Sequence, residues 1–435
     1  MTAESLQTPC TPLLRSEGAN SAHRHIFYGW WIVLTSAVGL FWGVPISVYS
    51  FSVFLKPLMH EFHAGRAAVS MAFTLHLIAG SISAPFVGWL IDRYGSRRVI
   101  LVGTFLFGSI LLGNKAFSAS IRQLYIYYAL LGVALHGVGP IPYGYVVCRW
   151  FDRRRGLALG LMMVGIGSGA MIMPSLAQQL IARYGWNIAY AILGSAVLLV
   201  ALPMIAAFLK EKPQDPGIVA DGALEKDSLV TSGGSDQGLS AADAWRSRTF
   251  WLMVGGFFLV SASVQGCLVH IAAMFSDRGM TLQTAALAGS LAGVAVMIGR
   301  VGTGYLLDRL FAPRLAAAFF GAAALGIGML WLGSRPVAFV GAFLVGLGLG
   351  AEVDLIAYLT SRYFGLGAFG KIYSSIFAAF GLAGALGPLM MGAGFDRTGS
   401  YAGPLIVFLA STLLGSVLIA RLGPYRYRVA QAAGE

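Results

Sequence analysis

Long stretches of apolar residues, separated by short turns rich in basic residues, constrain this chain more than any other feature. A helix that crosses the hydrocarbon core of a bilayer needs about 20 mainly apolar residues. Because 57% of the 435 residues are hydrophobic and only 11% are charged, the chain must be solvated largely by lipid. We therefore predict an all-α membrane protein in the lipid bilayer, with twelve transmembrane helices near 28–50, 68–91, 98–117, 122–147, 156–180, 187–208, 250–274, 283–306, 313–333, 337–361, 369–394 and 402–422.

One loop motif occurs twice, 216 positions apart. The residues from Gly88 to Arg98 read GWLIDRYGSRR, and those from Gly304 to Arg314 read GYLLDRLFAPR. Internal similarity at about half the chain length indicates two related halves. We therefore predict two pseudo-symmetric six-helix bundles. The predicted divisions are a disordered N-terminal tail at 1–27, bundles at 28–208 and 249–422, a polar linker at 209–248 and a C-terminal tail at 423–435.

The basic residues indicate how the helices are oriented. The net charge is +12, but the cations lie in short loops rather than in a stripe interleaved with aromatic residues, so we expect no nucleic-acid partner. Counting Lys and Arg in alternate loops gives 21 on the side of both termini and 8 on the opposite side. By the positive-inside rule, we expect both termini and the linker in the cytoplasm of a protein of the inner (plasma) membrane.

The repeated loop and the helix count resemble the major facilitator superfamily. In this family a Gly-x-x-x-Asp-Arg-x-x-x-x-Arg loop follows helices two and eight. Further motifs resemble its monocarboxylate transporter and oxalate/formate antiporter branch: Arg149-Trp150-Phe151-Asp152 before Arg155-Gly156-Leu157-Ala158, Phe250-Trp251 at the start of helix seven, and Arg300 eight residues before Asp308. The resemblance implies a membrane transporter in which helix two packs on helix eleven and helix five on helix eight.

Asp92 and Asp308 lie at the loop ends of helices two and eight. There a carboxylate can form charge-assisted bonds with nearby arginines or accept hydrogen bonds from a neighbouring helix N-terminus. The resemblance implies a conformational latch, which is made in one state of the transporter and broken in another. The alternative is a static anchor that fixes topology. The predicted latch residues are Gly88, Asp92, Arg93, Arg97, Arg98, Gly304, Asp308 and Arg309.

Three charged residues fall inside predicted membrane helices: Arg300 in helix eight, and Glu352 and Asp354 in helix ten. A charge at the bilayer centre costs about 3 kcal/mol or more, so each needs a partner or a water-filled cavity. Arg300 lies about 12 Å from the end of helix eight, and Asp354 about 12 Å from the end of helix ten, at ~1.5 Å per residue. Both ends lie on the side of the termini, so the two residues can meet at one level in the membrane. Glu352 points about 200° away from Asp354. We therefore expect only one of the two acids to face the cavity.

Arg300 is the predicted binder of a substrate carboxylate, because a guanidinium can hold a carboxylate through two hydrogen bonds; the resemblance implies the same role. Asp354, with Glu352 second, is the predicted proton carrier, since burial and a nearby arginine act on its proton affinity in opposite directions. The alternative is a permanent ion pair between Arg300 and Asp354.

Further candidates for substrate contact are one histidine and two tyrosines. His136 stands beside glycines and prolines that should distort helix four and free backbone groups for a cavity. Tyr143 and Tyr358 are aromatic residues deep in predicted helices, where core packing is the alternative role.

The predicted function is secondary active transport of a small organic monocarboxylate by proton symport. The resemblance places a second cation, a lysine, in helix eleven of the oxalate exchanger, where this chain has Ile376; a single fixed cation suits a monoanion. The alternatives are an anion exchanger, an efflux transporter of an amphipathic compound and a non-transporting membrane sensor. We expect no enzymatic activity, cofactor or metal, and a functional monomer whose partners are the organic anion, a proton and the bilayer.

Overall fold

The computed structural model describes residues 27–117, 119–211, 238–332 and 334–427. The predicted tails and linker therefore lie mostly outside the described residues, and their boundaries stay predictions. The fold is almost entirely helical. Its helices are α1 (Gly29–Trp42), α2 (Phe51–Glu61), α3 (Arg66–Tyr94), α4 (Ser96–Leu112), α5 (Ile121–Leu135), α6 (Pro140–Trp150), α7 (Arg155–Ala196), α8 (Leu202–Phe208), α9 (Ala241–Arg246), α10 (Arg248–Asp277), α11 (Leu282–Leu307), α12 (Ala312–Leu332), α13 (Arg335–Phe364), α14 (Phe369–Thr398) and α15 (Ala402–Ala420).

Twelve membrane crossings result, because one long helical segment crosses twice. Eleven described segments are long and apolar enough to span a bilayer, and one of them, Arg155–Phe208, contains 54 residues. The chain reverses at Gly185, whose φ of 80° is readily adopted only by glycine. A single residue thus replaces the longer loop that we predicted between helices five and six.

Two predicted helices are interrupted inside the membrane. The first crossing is α1, which ends at Trp42 and is followed by a π-helical turn, Pro45–Tyr49, and by α2. The fourth crossing is broken between Leu135 and Pro140, where proline cannot donate to the preceding turn. His136 therefore lies in the break that its glycine and proline neighbours predicted.

The first crossing begins at Gly29 and the twelfth ends at Ala420. Both ends of the bundle therefore lie at one membrane face, which we call the terminal face. The halves pack through α3 against α14 and through α7 against α11. Glycines allow these approaches: a Cβ atom at Gly88 would lie 2.2 Å from the carbonyl oxygen of Gly370, and one at Gly304 would lie 2.7 Å from that of Gly156. All four glycines lie near the terminal face, where the two halves are in contact.

Candidate functional site

Arg300 lies where α11 crosses α13 at close range. A Cβ atom at Gly350 would lie 2.3 Å from the carbonyl oxygen of Val296 and 3.0 Å from the backbone nitrogen of Arg300. Such a crossing is possible because glycine carries no side chain. On its other side, the Arg300 carbonyl lies 2.8 Å from the Cβ position of Gly160 in α7. Arg300 is thus buried, with 6% of its surface exposed, between the second half and a helix of the first.

The two acids of α13 lie on different stripes of that helix. Asp354 follows Gly350 by one turn, and therefore continues the stripe that faces α11. Glu352 follows Gly348 in the same way, and Gly348 faces Ala323 of α12, 2.7 Å from its Cβ position. Asp354 is consequently directed towards α11 and Arg300, whereas Glu352 is directed towards α12. Both side chains are buried, with 1% and 0% exposure.

The three charged groups lack hydrogen-bond partners in the described part of the chain. These unpartnered atoms are Nε and Nη1 of Arg300 and all four carboxyl oxygens of Glu352 and Asp354. The charge of Arg300 acts on both acids, yet no ion pair joins the described atoms. The permanent Arg300 to Asp354 ion pair is therefore not present in this structure. Buried polar groups are nearly always satisfied, so unpartnered ones point to a ligand or proton.

Tyr373 is a member of this cluster that the sequence did not single out. It lies in α14 with 1% exposure and interacts electrostatically with Asp354 and Arg300. Its ring lies 3.6 Å from the Cβ position of Gly144, in the first half. Tyr373 belongs to an aromatic stripe at helical spacing, Phe369, Tyr373, Phe377 and Phe380. The helical spacing of these aromatic residues is the sequence pattern that could have identified Tyr373.

His136 faces the second half. Its ring centroid lies 6.1 Å from that of Phe377, and its Nδ1 atom lies 3.3 Å from the carbonyl oxygen of Gly132. The side chain is half-buried. Of the three substrate-contact candidates besides Arg300, His136 thus points towards the aromatic stripe that also carries Tyr373.

The two predicted tyrosines occupy other positions. The hydroxyl group of Tyr143 packs against Gly39 of α1 within the first half. The ring of Tyr358 lies beneath the guanidinium of Arg362, 5.1 Å from its carbon atom to the ring centroid. Neither contact reaches Arg300. These contacts fit core packing, the alternative role, and a part in substrate binding stays a prediction for both tyrosines.

The repeated aspartates make equivalent contacts between the halves. Asp92 accepts hydrogen bonds from the backbone N–H groups of Gly370 and Lys371, at 2.7 and 3.0 Å, at the start of α14. Asp308 accepts hydrogen bonds from those of Gly156 and Leu157, at 2.6 and 2.9 Å, at the start of α7. Helix N-termini favour carboxylates in this way. Burial raises the pKa of the Asp308 carboxyl, and the two N–H donors oppose that rise.

The latch arginines bind elsewhere. Arg93 lies over the rings of Trp89 and Tyr94, and Arg97 donates to the carbonyl oxygen of Ala206 at 2.9 Å. Arg309 lies 3.6 Å from the ring centroid of Tyr305, and Arg98 is exposed. The sequence offered two kinds of partner for the aspartates, nearby arginines and a neighbouring helix N-terminus, and in the described residues the helix N-termini bind them. Backbone N–H groups donate to the carboxylates, whereas the arginines contact aromatic rings, a carbonyl oxygen and solvent.

A third contact between the halves joins the loop after α6 and the start of α7 to α13. Arg362 donates to the Asp152 carboxylate at 3.0 Å, and Arg155 donates to the Ser361 hydroxyl at 3.0 Å. Asp152 also lies 3.3 Å from Arg155. None of these four residues was among the predicted site residues, although the motif from Arg149 to Ala158 contains two of them. The contacts of Asp92, Asp308 and Asp152 all lie at the terminal face, and the two halves are closed against each other there.

Comparison with known proteins identifies the family. The model of the Major Facilitator Superfamily matches residues 37–388. The chain belongs to the Major Facilitator Superfamily. The E. coli fucose:proton symporter has the same fold, with a TM-score of 0.69 at 15% identity over 91% of this chain and 98% of that one. The protein is thus a membrane transporter, and not an enzyme.

Two curated relatives belong to the branch suggested by the motifs. Monocarboxylate transporter 11 of Mus musculus is 27% identical over 408 residues, covering 90% of this chain and 87% of the relative. The oxalate:formate antiporter of Oxalobacter formigenes is 28% identical over 234 residues, covering 53% of this chain and 52% of the relative. This superfamily member is therefore related to monocarboxylate transporters and to an anion antiporter.

Proposed function

We propose that this transporter carries a small organic monocarboxylate together with a proton. The observation that carries the proposal is the buried Arg300 guanidinium, whose Nε and Nη1 atoms have no partner in the described chain. A substrate carboxylate can accept two parallel hydrogen bonds from such a group. Arginine also stays charged throughout a transport cycle. The relatedness to monocarboxylate transporters supports the same substrate class.

The charge count favours a monoanion. Arg300 provides one fixed positive charge, and Ile376, the position where the resemblance implies a second cation, is fully buried and apolar. A second substrate carboxylate would be buried without a cation, at a cost of several kcal/mol. The proposed substrate therefore carries a single carboxylate, with an apolar remainder that faces Tyr373 and Phe377.

Asp354 is the proposed proton carrier, because it lies on the stripe of α13 that faces α11 and Arg300. Without substrate, an ionised Asp354 balances the charge of Arg300. When a substrate carboxylate binds to Arg300, two negative charges compete for one cation, and protonation of Asp354 relieves the conflict. Glu352, which is directed towards α12, takes no part in this proposed exchange.

Alternating access would connect this site to either membrane face in turn. The contacts of Asp92, Asp308 and Asp152 close the terminal face and must break when that face opens. The distribution of 21 and 8 basic residues supports a cytoplasmic terminal face in the inner membrane. We accordingly propose uptake into the cell by a functional monomer.

Purified protein would first be screened for thermal stabilisation by small carboxylates at two pH values, because a ligand that binds only the folded state raises its stability. Hits would then be tested for uptake into proteoliposomes under an inward proton gradient. We expect Arg300→Ala to abolish saturable uptake and Arg397→Ala to retain it, since Arg397 is exposed near the opposite face. Saturable uptake by Arg300→Ala at the native rate would refute the proposed site.

Exchange is the second candidate, because one relative is an oxalate:formate antiporter. Symport and exchange differ in what drives net movement. A symporter accumulates substrate in empty vesicles when a proton gradient is applied, whereas an obligatory exchanger requires a counter-substrate inside. Uptake that occurs only in preloaded vesicles would favour exchange, movement of amphipathic compounds alone would favour efflux, and binding without counterflow would favour a sensor.

A further inference from the structure

A short segment before α10 is fixed to the loop between α13 and α14. Gly238 pairs with Gly365 in an antiparallel bridge, and the Leu239 N–H group donates to the Phe364 carbonyl oxygen at 2.9 Å. The segment continues into α9, whose Ala244 is fully buried. Its inner side is therefore anchored to the protein at the terminal face.

The outer side of this segment carries exposed tryptophan and arginine. Trp245 and Trp251 are 44% and 62% exposed, and the Trp251 indole N–H donates to the Trp245 carbonyl oxygen at 2.9 Å. Arg246 and Arg248 are exposed beside them. Tryptophan is enriched at the level of lipid headgroups, where its ring meets apolar and polar surroundings together.

A third arginine joins this surface from α15. Gly255 of α10 faces Leu418, with 3.5 Å between its Cβ position and that side chain. Trp251 lies one turn before Gly255, and Arg421 lies three residues after Leu418, so both continue the facing stripes towards the terminal face. Arg421 is exposed. Trp245, Arg246, Arg248, Trp251 and Arg421 together form what we call the arginine–tryptophan patch.

The patch carries three positive charges that no described acid neutralises by an ion pair. The nearby Asp243 accepts a hydrogen bond from the hydroxyl of Ser240, at 2.6 Å. The membrane-spanning helix α10 begins at Arg248, so the patch lies at the boundary between hydrocarbon and water. Cations at this depth attract anionic headgroups.

We propose that the arginine–tryptophan patch is a binding site for the headgroup of an anionic phospholipid. The arginines bind the phosphate through charge-assisted hydrogen bonds, and the two indole rings lie against the glycerol region and the first methylene groups. The occupant is a lipid of the surrounding bilayer rather than a soluble phosphate, because both exposed rings require an apolar partner.

The test uses full-length protein in bilayers that contain a small fraction of brominated lipid, because bromine quenches tryptophan fluorescence on contact. We expect brominated phosphatidylglycerol to quench more strongly than brominated phosphatidylcholine at the same mole fraction. Trp245→Phe/Trp251→Phe should remove this excess. Arg246→Gln/Arg248→Gln/Arg421→Gln should weaken the apparent affinity for phosphatidylglycerol about tenfold or more.

The matched control is Arg122→Gln/Arg335→Gln/Arg397→Gln, which removes the same charge from exposed positions near the opposite face and should retain the excess. Replacing the three patch arginines with lysine should retain most of it, which separates loss of charge from misfolding. Equal quenching by both lipids, or an excess that survives the patch substitutions, would overturn the proposal. Loss of the excess on adding glycerol phosphate, at constant ionic strength, would show a soluble-phosphate site and overturn it too.

Discussion

The two halves of the transporter make similar contacts with each other at the terminal face, but they differ in the charged residues that are buried inside the membrane. Asp92 and Asp308 each accept two backbone hydrogen bonds from the opposite half, with distances of 2.6 to 3.0 Å. A glycine four residues before each aspartate allows the close approach. Equivalent contacts on the two sides of the molecule suit a structure that closes symmetrically at the terminal face.

The buried charges break this symmetry. At the position 216 before Arg300 the first half has Ala84, and at those before Glu352 and Asp354 it has His136 and Val138. Ala84 and Val138 are buried and apolar. In the proposed mechanism, the second half binds the substrate and the proton, while the first half supplies the surface that closes over them. The predictions below test that division.

The largest effect is expected at Arg300. Arg300→Gln removes the charge that holds the substrate carboxylate and should weaken substrate binding by about 2 kcal/mol or more, roughly 30-fold. Arg300→Lys keeps the charge but loses the paired N–H groups, so its affinity should lie between those of the native protein and Arg300→Gln. Calorimetric titration of purified protein measures all three. Equal affinities would place the substrate away from Arg300.

The second prediction separates the two acids of α13. Asp354→Asn cannot release a proton, so accumulation driven by a proton gradient should be lost while counterflow of labelled substrate continues. Glu352→Gln should retain both activities, because Glu352 is directed towards α12. Transport in proteoliposomes with and without a pH gradient distinguishes the variants. The reverse pattern would make Glu352 the proton carrier.

The third prediction concerns the repeated contacts. Asp92→Asn and Asp308→Asn each remove a charge-assisted acceptor and should destabilise the closed terminal face by about 1.5–3 kcal/mol, to a similar extent in both halves. The native Cys148 is 1% exposed near this face and reports opening by its rate of alkylation, in a Cys10→Ser/Cys267→Ser background. Arg97→Gln is the control, since Arg97 binds within its own half. A strong effect at only one aspartate would show that the latches are not equivalent.

The smallest effect is expected at Arg362. Arg362→Gln removes the contact with Asp152, but Asp152 still lies 3.3 Å from Arg155. The partly buried ion pair should therefore contribute about 1 kcal/mol or less, seen as a modest increase in Cys148 alkylation. An increase as large as that of Asp92→Asn would show that this contact stabilises the closed terminal face as strongly as the repeated contacts do.

The fold could be predicted from the sequence because membrane helices are specified locally, by about 20 apolar residues each. The reversal at Gly185 falls between the predicted helices 156–180 and 187–208, but its sharpness was not predicted, since one glycine at positive φ leaves no polar loop. Contacts between helices that are far apart in the sequence were harder to predict. Arg362 and Asp152 are 210 positions apart, and Tyr373 is one aromatic residue among the chain's 17 tyrosines. Their roles depend on which helix faces meet, and the apolar pattern does not encode that.

The most direct test of the central claim measures protons rather than substrate. If binding of a substrate carboxylate to Arg300 drives protonation of Asp354, adding saturating substrate to weakly buffered protein should cause uptake of about one proton per bound substrate. Asp354→Asn should bind substrate with no proton uptake, and Glu352→Gln should behave as the native protein. Proton uptake that persists unchanged in Asp354→Asn would contradict the account.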